Sequence, residues 1–347
     1  MIKVVQIGCG KMSKYIMRYI YEKKGSVIKA FDVNSDIIGK DIGSIMETHD
    51  VGITVEDISN LDNSLKDCEP DIAIITTMSF LNDLEKVIRI CVKNGVNVIT
   101  TCEEAFYPIN SNYKLYEKLD TLAKAYNVSI LGTGYQDIFW NKLVLNICAS
   151  TNRITKIKGL SSYNVEDYGI ALAKAHGAGL SIDEFNKEFG KVLSEDEIKS
   201  LMEDKSFYPS YMWNVVGSLV DKLGLTLTSI KEEHIPVVCE NKINSSTLNM
   251  DLEKGMVRGM NAVVIASTKE HIEIEVECIG KVYTDDEKDI NSWTIYGEPT
   301  TSLVNESPCT VELTCADVVN RIPDVIEAKS GFITNNDLKE ASFKFKL

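Results

Sequence analysis

The sequence is short of histidine and of paired cysteine. Its four histidines (His49, His176, His234 and His271) are scattered, and none of its nine cysteines forms a CxxC pair. This pattern excludes a disulfide framework and the common zinc spacings. It predicts buried, reduced thiols in a cytoplasmic protein without a bound metal. Positive charge is also scarce: 37 Lys and Arg against 51 Asp and Glu give a net charge of −14. Nucleic acid and anionic membrane surfaces need clustered cations, so neither is expected as a partner. No apolar run approaches the roughly 20 residues of a membrane span. The opening MIKVVQIGCGKMS enters a strand at once and lacks signal-peptide anatomy. Repeats and low-complexity linkers are missing too.

What remains is an ordinary globular composition, 44% hydrophobic and 25% charged over 347 residues, long enough for two domains. In the first third, short apolar runs alternate with helical patterns. IKVVQIG, VIKAFDV, DIAIITT, VNVITT and SILGTG read as strands buried on both faces of a parallel sheet. Beyond about residue 140, after the helical IFWNKLVLNICAS, the texture shifts to period-2 alternation. ITKIKGLSSYNV, EEHIPVVCENKI, GMVRGMNAVVIAST, HIEIEVECIGKVY and SPCTVELTC predict a largely antiparallel sheet. Helices are expected over 181–204 and 211–224, a solvated hairpin turn at YTDDEKD, and a break or kink at Pro323.

The expected fold class is therefore α/β: an N-terminal doubly wound Rossmann sheet plus a second α+β domain. The expected domains are 1–140 for the dinucleotide, 141–315 for substrate and dimerisation, and a C-terminal helix and tail over 316–347 packing back near the domain interface. One-sided antiparallel sheets of this kind pair between copies, so a homodimer is expected.

Gly8-Cys9-Gly10-Lys11-Met12-Ser13 follows the first strand and opens a helix. It is a G-x-G-x-x-S variant of the dinucleotide fingerprint. Gly8 allows the turn, Gly10 lets a pyrophosphate approach, and Ser13 is small and could offer its hydroxyl to a phosphate. Asp32 ends the second strand, placed for an adenosine ribose. No Arg follows it in DVNSDIIGK, and only Lys40 is near, so NAD is favoured, with NADP the alternative.

Ligands of such sheets bind beyond the carboxyl ends of the strands. Thr76 and Thr77, the acids Glu103 and Glu104, and Gly134 with Tyr135 all sit there and are expected around the nicotinamide. A carboxylate in that position can bind a substrate ammonium and later deprotonate a water that attacks an imine. This chemistry suits an amine better than an alcohol. In the second domain Asn164, Tyr168 and His176 are candidates for substrate polar groups. Arg258 and Arg321 are candidates for a substrate carboxylate.

IGCGKM, FDVN, ITTCEEAFYP, GTGYQDIFW and NRIPDVIEAKSGF, in this order and spacing, resemble the 2,4-diaminopentanoate dehydrogenase family. That family is related to native amine dehydrogenases and more distantly to dihydrodipicolinate reductase-like proteins. The resemblance implies NAD(P)-dependent oxidative deamination of 2,4-diaminopentanoate at C4, giving 2-amino-4-oxopentanoate and ammonia in ornithine catabolism. It implies a Rossmann domain, a dimer-forming α+β domain and a catalytic glutamate in the CEE segment, Glu103 or Glu104. The chain departs from the family after GTG, where members often carry Asn-Pro-Gly and this sequence has Tyr135-Gln136-Asp137. Two other readings are a different amine or imine oxidoreductase of the same broad group, and a non-enzymatic NAD sensor. A cyclic diacid substrate would call for a basic cluster, and a sensor for an effector module. The sequence offers neither.

Overall fold

A computed structural model describes residues 1–203 and 209–347. The chain forms two units, Met1–Lys142 with Cys309–Leu347, and Leu143–Pro308.

The first unit is built on seven parallel strands: β1 (Lys3–Ile7), β2 (Ser26–Asp32), β3 (Val55–Asp57), β4 (Ile72–Ile75), β5 (Asn97–Thr100), β6 (Ser129–Gly132) and the late strand β16 (Gly331–Ile333). Their order is β16-β6-β5-β4-β1-β2-β3. Strand order reverses beside β1, between β1 and β4, which is where open α/β sheets bind ligands. The apolar runs are continuous because both faces are covered. Val5, Ile7, Ala73, Ile75, Val98 and Ile130 pack with helices Leu61–Cys68, Leu81–Lys93 and Tyr113–Ala125. Val4, Ile72, Ile74, Ile99 and Leu131 face the other way, onto helices Lys11–Glu22 and Thr310–Ile326.

The second unit holds β7 (Arg153–Asn164), β8 (Leu193–Ser194), β9 (Leu227–Val238), the small hairpin β10 (Ile243–Ser245) and β11 (Met250–Leu252), β12 (Val257–Thr268), β13 (Glu273–Lys281), β14 (Ile290–Glu298) and β15 (Thr301–Glu306). The large sheet runs β15-β14-β7-β13-β12-β9-β8. Every pairing in it is antiparallel except β7 with β13. Alternation sorts the residues: Ile274, Val276 and Cys278 are buried, while Glu273, Glu275 and Glu277 between them are not. Helix Tyr211–Lys222 packs on β12 and β13 through a face that includes Met212, Trp213, Val216 and Leu219. Trp293 lies flat over Gly159, where a Cβ would come within 2.5 Å of the ring.

Five expectations need correction. The expected domain boundary at 315 falls inside helix Thr310–Ile326, and the C-terminal segment belongs to the first unit, whose sheet β16 extends. SPCTVELTC is not a strand, because the helix begins at Thr310. That helix also runs through Pro323 without a break. YTDDEKD is not a hairpin turn: β13 and β14 both pair with β7, so the segment crosses over β7. The expected helix over 181–204 divides into Ile182–Phe189 and Glu195–Glu203, with residue 204 outside the described residues.

Candidate active site

The loop after β1 is held from below. Gly8 has φ +87°, and a Cβ there would meet Thr77 Cγ2 at 2.6 Å and Thr76 O at 2.9 Å. The Thr76 hydroxyl donates to Gly8 O at 2.9 Å, and Gln6 Nε2 donates to the same carbonyl at 2.8 Å. Gly10 differs, since a Cβ there would point into open space. It precedes helix Lys11–Glu22, whose first turn receives no side-chain cap. That leaves backbone N–H groups at the positive end of a helix, the arrangement an anion requires.

Ser13 is buried, and its hydroxyl donates to Gly10 O at 2.7 Å. The hydroxyl therefore shapes the loop instead of facing a phosphate, contrary to expectation. Met12 packs against the core beneath the loop, whereas Lys11 is exposed. Cys9 is buried, and burial with nearby Asp32 pushes its thiol up to about 12. Only the backbone of Cys9 is presented for chemistry.

Asp32 ties the ends of β1 and β2 together. Its Oδ2 accepts from Cys9 N at 2.6 Å, and its Oδ1 accepts from Val33 N at 2.7 Å and Asn34 N at 2.8 Å. These bonds fix the carboxylate at the edge of the glycine loop.

The two glutamates after β5 separate into different environments. Glu104 begins a short 3-10 turn, Glu104–Phe106, and is 5% exposed. Its Oε2 accepts from Leu81 N at 2.7 Å, at the start of helix Leu81–Lys93, and Ser111 Oγ donates to Oε1 at 3.3 Å. A further hydrogen bond comes from Asn112. Burial raises its proton affinity, against the pull of these bonds. Glu103 is half-buried; desolvation raises its proton affinity and a hydrogen bond with Ser79 opposes the rise. The turn lies hard against β6, because Ala105 backbone occupies the space that a Cβ on Gly132 would need.

After β6 the chain passes through Thr133, Gly134 and Tyr135 into a π-helical turn, Asp137–Lys142. Such turns interrupt regular helices where a side chain or loop must be re-aimed. The Tyr135 ring is buried, stacked on Phe139 at 4.3 Å and edge-on to Trp140 at 5.9 Å, so it belongs to an aromatic cluster. Arg321 is fully buried, and its Nη2 lies 2.6 Å from Asp137 Oδ2. That pairing removes it as a substrate clamp.

In the second unit, Tyr163 stands beside three of the expected substrate residues. His176 Nδ1 donates to Leu172 O at 2.8 Å, which leaves Nε2 as acceptor for the Tyr163 hydroxyl, also at 2.8 Å. Burial lowers the His176 proton affinity, consistent with a neutral ring. Tyr168 meets the Tyr163 ring edge-on and is 52% exposed. Asn164 caps the next turn, its Oδ1 accepting from Glu166 N at 3.2 Å. Arg258 is engaged elsewhere. Its guanidinium grips Glu287 with both terminal nitrogens, at 2.6 and 3.0 Å, and Lys281 joins the same carboxylate. The fork proposed for a substrate carboxylate already holds an internal one.

A sequence model of the 2,4-diaminopentanoate dehydrogenase C-terminal domain matches residues 138–343, more than half of the chain. This chain belongs to the 2,4-diaminopentanoate dehydrogenase family. The N-terminal part, residues 2–104, matches the dihydrodipicolinate reductase N-terminal domain. A 2,4-diaminopentanoate dehydrogenase from Acetoanaerobium sticklandii is 25% identical, over 97% of this chain and 93% of its own length. The solved structure of an amine dehydrogenase from Mycobacterium smegmatis is 32% identical, with a TM-score of 0.86, covering 100% of this chain and 98% of that one. A biliverdin reductase from Synechocystis, solved with biliverdin and NADP+, shares the fold at 12% identity, a TM-score of 0.57 and coverage of 97% and 94%. The family match and the two amine-directed relatives make the chain an oxidoreductase that acts on amines, and its dinucleotide-type glycine loop fits a nicotinamide cofactor.

Ser79, expected past the strand end with Thr76 and Thr77, meets Glu103 there. Three residues that the sequence did not single out also take part: Tyr163 beside His176, and Thr133 with Asp317, joined by a hydrogen bond of 2.7 Å. Thr133 lies just past a strand end, the one signal that could have marked it.

Proposed function

We propose that this protein catalyses the NAD-dependent oxidative deamination of 2,4-diaminopentanoate at C4, with Glu103 as its acid–base residue. The separation of the two glutamates carries this reading. Glu104 is fixed to the start of a helix, and Glu103 is the acid left at the strand end with its proton affinity raised.

The residues present fit a dinucleotide. The uncapped start of helix Lys11–Glu22 and the open space at Gly10 suit the pyrophosphate, and Asp32 suits the ribose hydroxyls. A 2′-phosphate would meet the Asp32 carboxylate, which supports NAD over NADP. A nicotinamide held there would supply the acceptor for hydride from the amine-bearing carbon.

Glu103 first holds the substrate ammonium as its counterion. The ammonium must release a proton to solvent before its carbon can give up hydride, and loss of the hydride leaves an iminium. Glu103 then orients a water, which adds to the iminium carbon and gives up a proton to the carboxylate. Glu103 returns that proton to the carbinolamine nitrogen and then takes the hydroxyl proton as the C–N bond breaks, so that ammonia leaves a ketone. Taken by itself, the second unit offers Tyr168, Asn164 and the neutral Tyr163–His176 pair as polar groups able to bind an amine or a carboxylate.

The chain acts in the cytoplasm in ornithine breakdown, as a homodimer. Nine unpaired cysteines suit a reducing compartment, and among the described residues no helix is long and apolar enough to cross a membrane. One face of the second sheet supports the dimer. There Lys156 and Lys158 neutralise Glu273, Glu275 and Glu277, and Ile235, Tyr296 and Val304 are exposed on the same face. Light scattering should return twice the chain mass.

The function is tested by following nicotinamide reduction with the pure protein, NAD or NADP, and a panel of amines, diamino acids and hydroxy acids. Reduction with 2,4-diaminopentanoate and release of ammonia are expected. Activity with hydroxy acids and none with amines would refute the assignment.

A further inference from the structure

Behind β6, the Thr133 hydroxyl faces three acceptors. Asp317 Oδ2 lies at 2.7 Å, Asn335 Oδ1 at 3.3 Å and Asp137 Oδ2 at 3.5 Å. The orientation of Asn335 is fixed, because its Nδ2 donates to Gly132 O at 2.9 Å and turns Oδ1 toward Thr133. Asp137 is committed to Arg321, which approaches its Oδ2 through Nε at 2.7 Å and Nη2 at 2.6 Å. Arg321 Nη1 turns away, to Lys339 O at 2.9 Å and Asp324 at 3.2 Å. Lys142, the other buried cation of the cluster, donates to the carbonyls of Asn335 and Leu338. Asp317 is 5% exposed and its Oδ1 is buried without a hydrogen-bond partner.

A hydroxyl has one hydrogen to give. An ionised Asp317 would take it, leaving the Asn335 and Asp137 oxygens facing Thr133 with no hydrogen between them. It would also set a second negative charge beside Asp137 in the interior, a costly arrangement. We propose that Asp317 carries a proton in the working protein and donates it to Thr133, which passes its own hydrogen on, so that Asp317 is a positioning residue for the loop Thr133–Tyr135. Burial and the neighbouring Asp137 act in the same direction, raising the Asp317 proton affinity well above the usual carboxylate range against Thr133, Arg321 and the Gly134 backbone. The loop is pinned to the same helix a second time, Tyr135 N donating to Thr314 Oγ1 at 3.2 Å. It leaves the sheet at the carboxyl edge that also carries Gly8 and Glu103. Its effect on turnover rests on the proposed amine oxidation; the protonation state does not.

The test compares Asp317→Asn, which keeps the shape and a donor toward Thr133, with Asp317→Ala, which keeps neither. Infrared spectra at pH 7 should show the carbonyl stretch of a protonated carboxyl group in the unaltered protein and its loss in Asp317→Asn. Asp317→Asn should retain turnover, while Asp317→Ala loses up to about 10²-fold in kcat with little change in KM. Should Asp317→Ala not fold, Thr133→Val breaks the same chain from its other end. An unchanged infrared spectrum would overturn the proposal, as would equal losses in the Asn and Ala variants. The spectra need no substrate, so a failure of the amine reading would show separately, as absent turnover with the carboxyl band still present.

Discussion

The backbone N–H of Leu81 donates to Glu104 Oε2 at 2.7 Å, joining two segments 23 positions apart in the sequence. This bond satisfies one of the open N–H groups at the start of helix Leu81–Lys93, as an N-cap side chain would, and the carboxylate sits at the positive helix end. Of two adjacent acids, one is therefore part of the frame.

Glu103→Gln is expected to lower deamination by about 10²–10⁴, the usual loss on removing a general base, with cofactor binding intact. Glu104→Ala is expected to lower stability by about 1 kcal/mol, as loss of a cap does, with a smaller effect on turnover. Steady-state rates and cofactor titrations of both variants decide between them. The reverse ranking would move the acid–base role to Glu104.

The same substitution has a pH signature in stability. Desolvation raises the folded-state proton affinity of Glu103. A carboxyl raised in this way contributes stability that is fully present below its unfolded pKa, about 4.3, and lost as pH rises through the folded value. Glu103→Gln carries no charge to desolvate. Its melting temperature relative to the parent should therefore climb between pH 4 and neutrality. A flat difference across that range would show that Glu103 is well solvated.

Asp32→Ala removes the acceptor for three backbone N–H groups, those of Cys9, Val33 and Asn34. NAD affinity should fall by about 10-fold or more, the scale of a lost hydrogen bond to a charged group. NADP affinity should fall less, since a repulsive carboxylate goes with it. Calorimetric titrations of both cofactors measure the ratio. An equal loss for both would mean that Asp32 acts only through the loop.

Gly132→Ala sets a methyl group into the Ala105 backbone, which cannot rotate away. A cost of about 1–3 kcal/mol is expected, the range for overpacking a core. The displaced segment also carries Glu103, so turnover should fall with stability. Chemical denaturation and rates on one preparation check both. Full stability in this variant would show that the turn is held loosely.

Local signals were enough to read the parallel strands and the glycine loop. IAII at β4 is apolar throughout because helices cover both faces, and Gly8 needs its positive φ whatever lies elsewhere in the chain. The errors arose where distant partners decide. YTDDEKD looks like a hairpin turn until β7 is known to lie between its flanking strands. Arg321 reads as a free guanidinium until Asp137, 184 positions away, is placed against it. SPCTVELTC alternates as a strand would, yet Cys315, Val318 and Ile322 continue on a helical period that buries them against the first sheet. The roles of Glu103 and Glu104 could not be told apart without Leu81.

The β16 pairing makes completion of the first unit a late event in synthesis. Its seventh strand and one of its helical covers come from residues 310–333, which leave the ribosome after the whole second unit. Until then the outer edge of β6 has no strand beside it, and Ile99 and Leu131 lack their helix. A nascent chain stalled anywhere in the second unit thus presents an open strand edge to its neighbours. Premature termination there leaves a fragment that is sticky as well as inactive, and a chaperone that shields β6 would act on this chain until its last strand arrives.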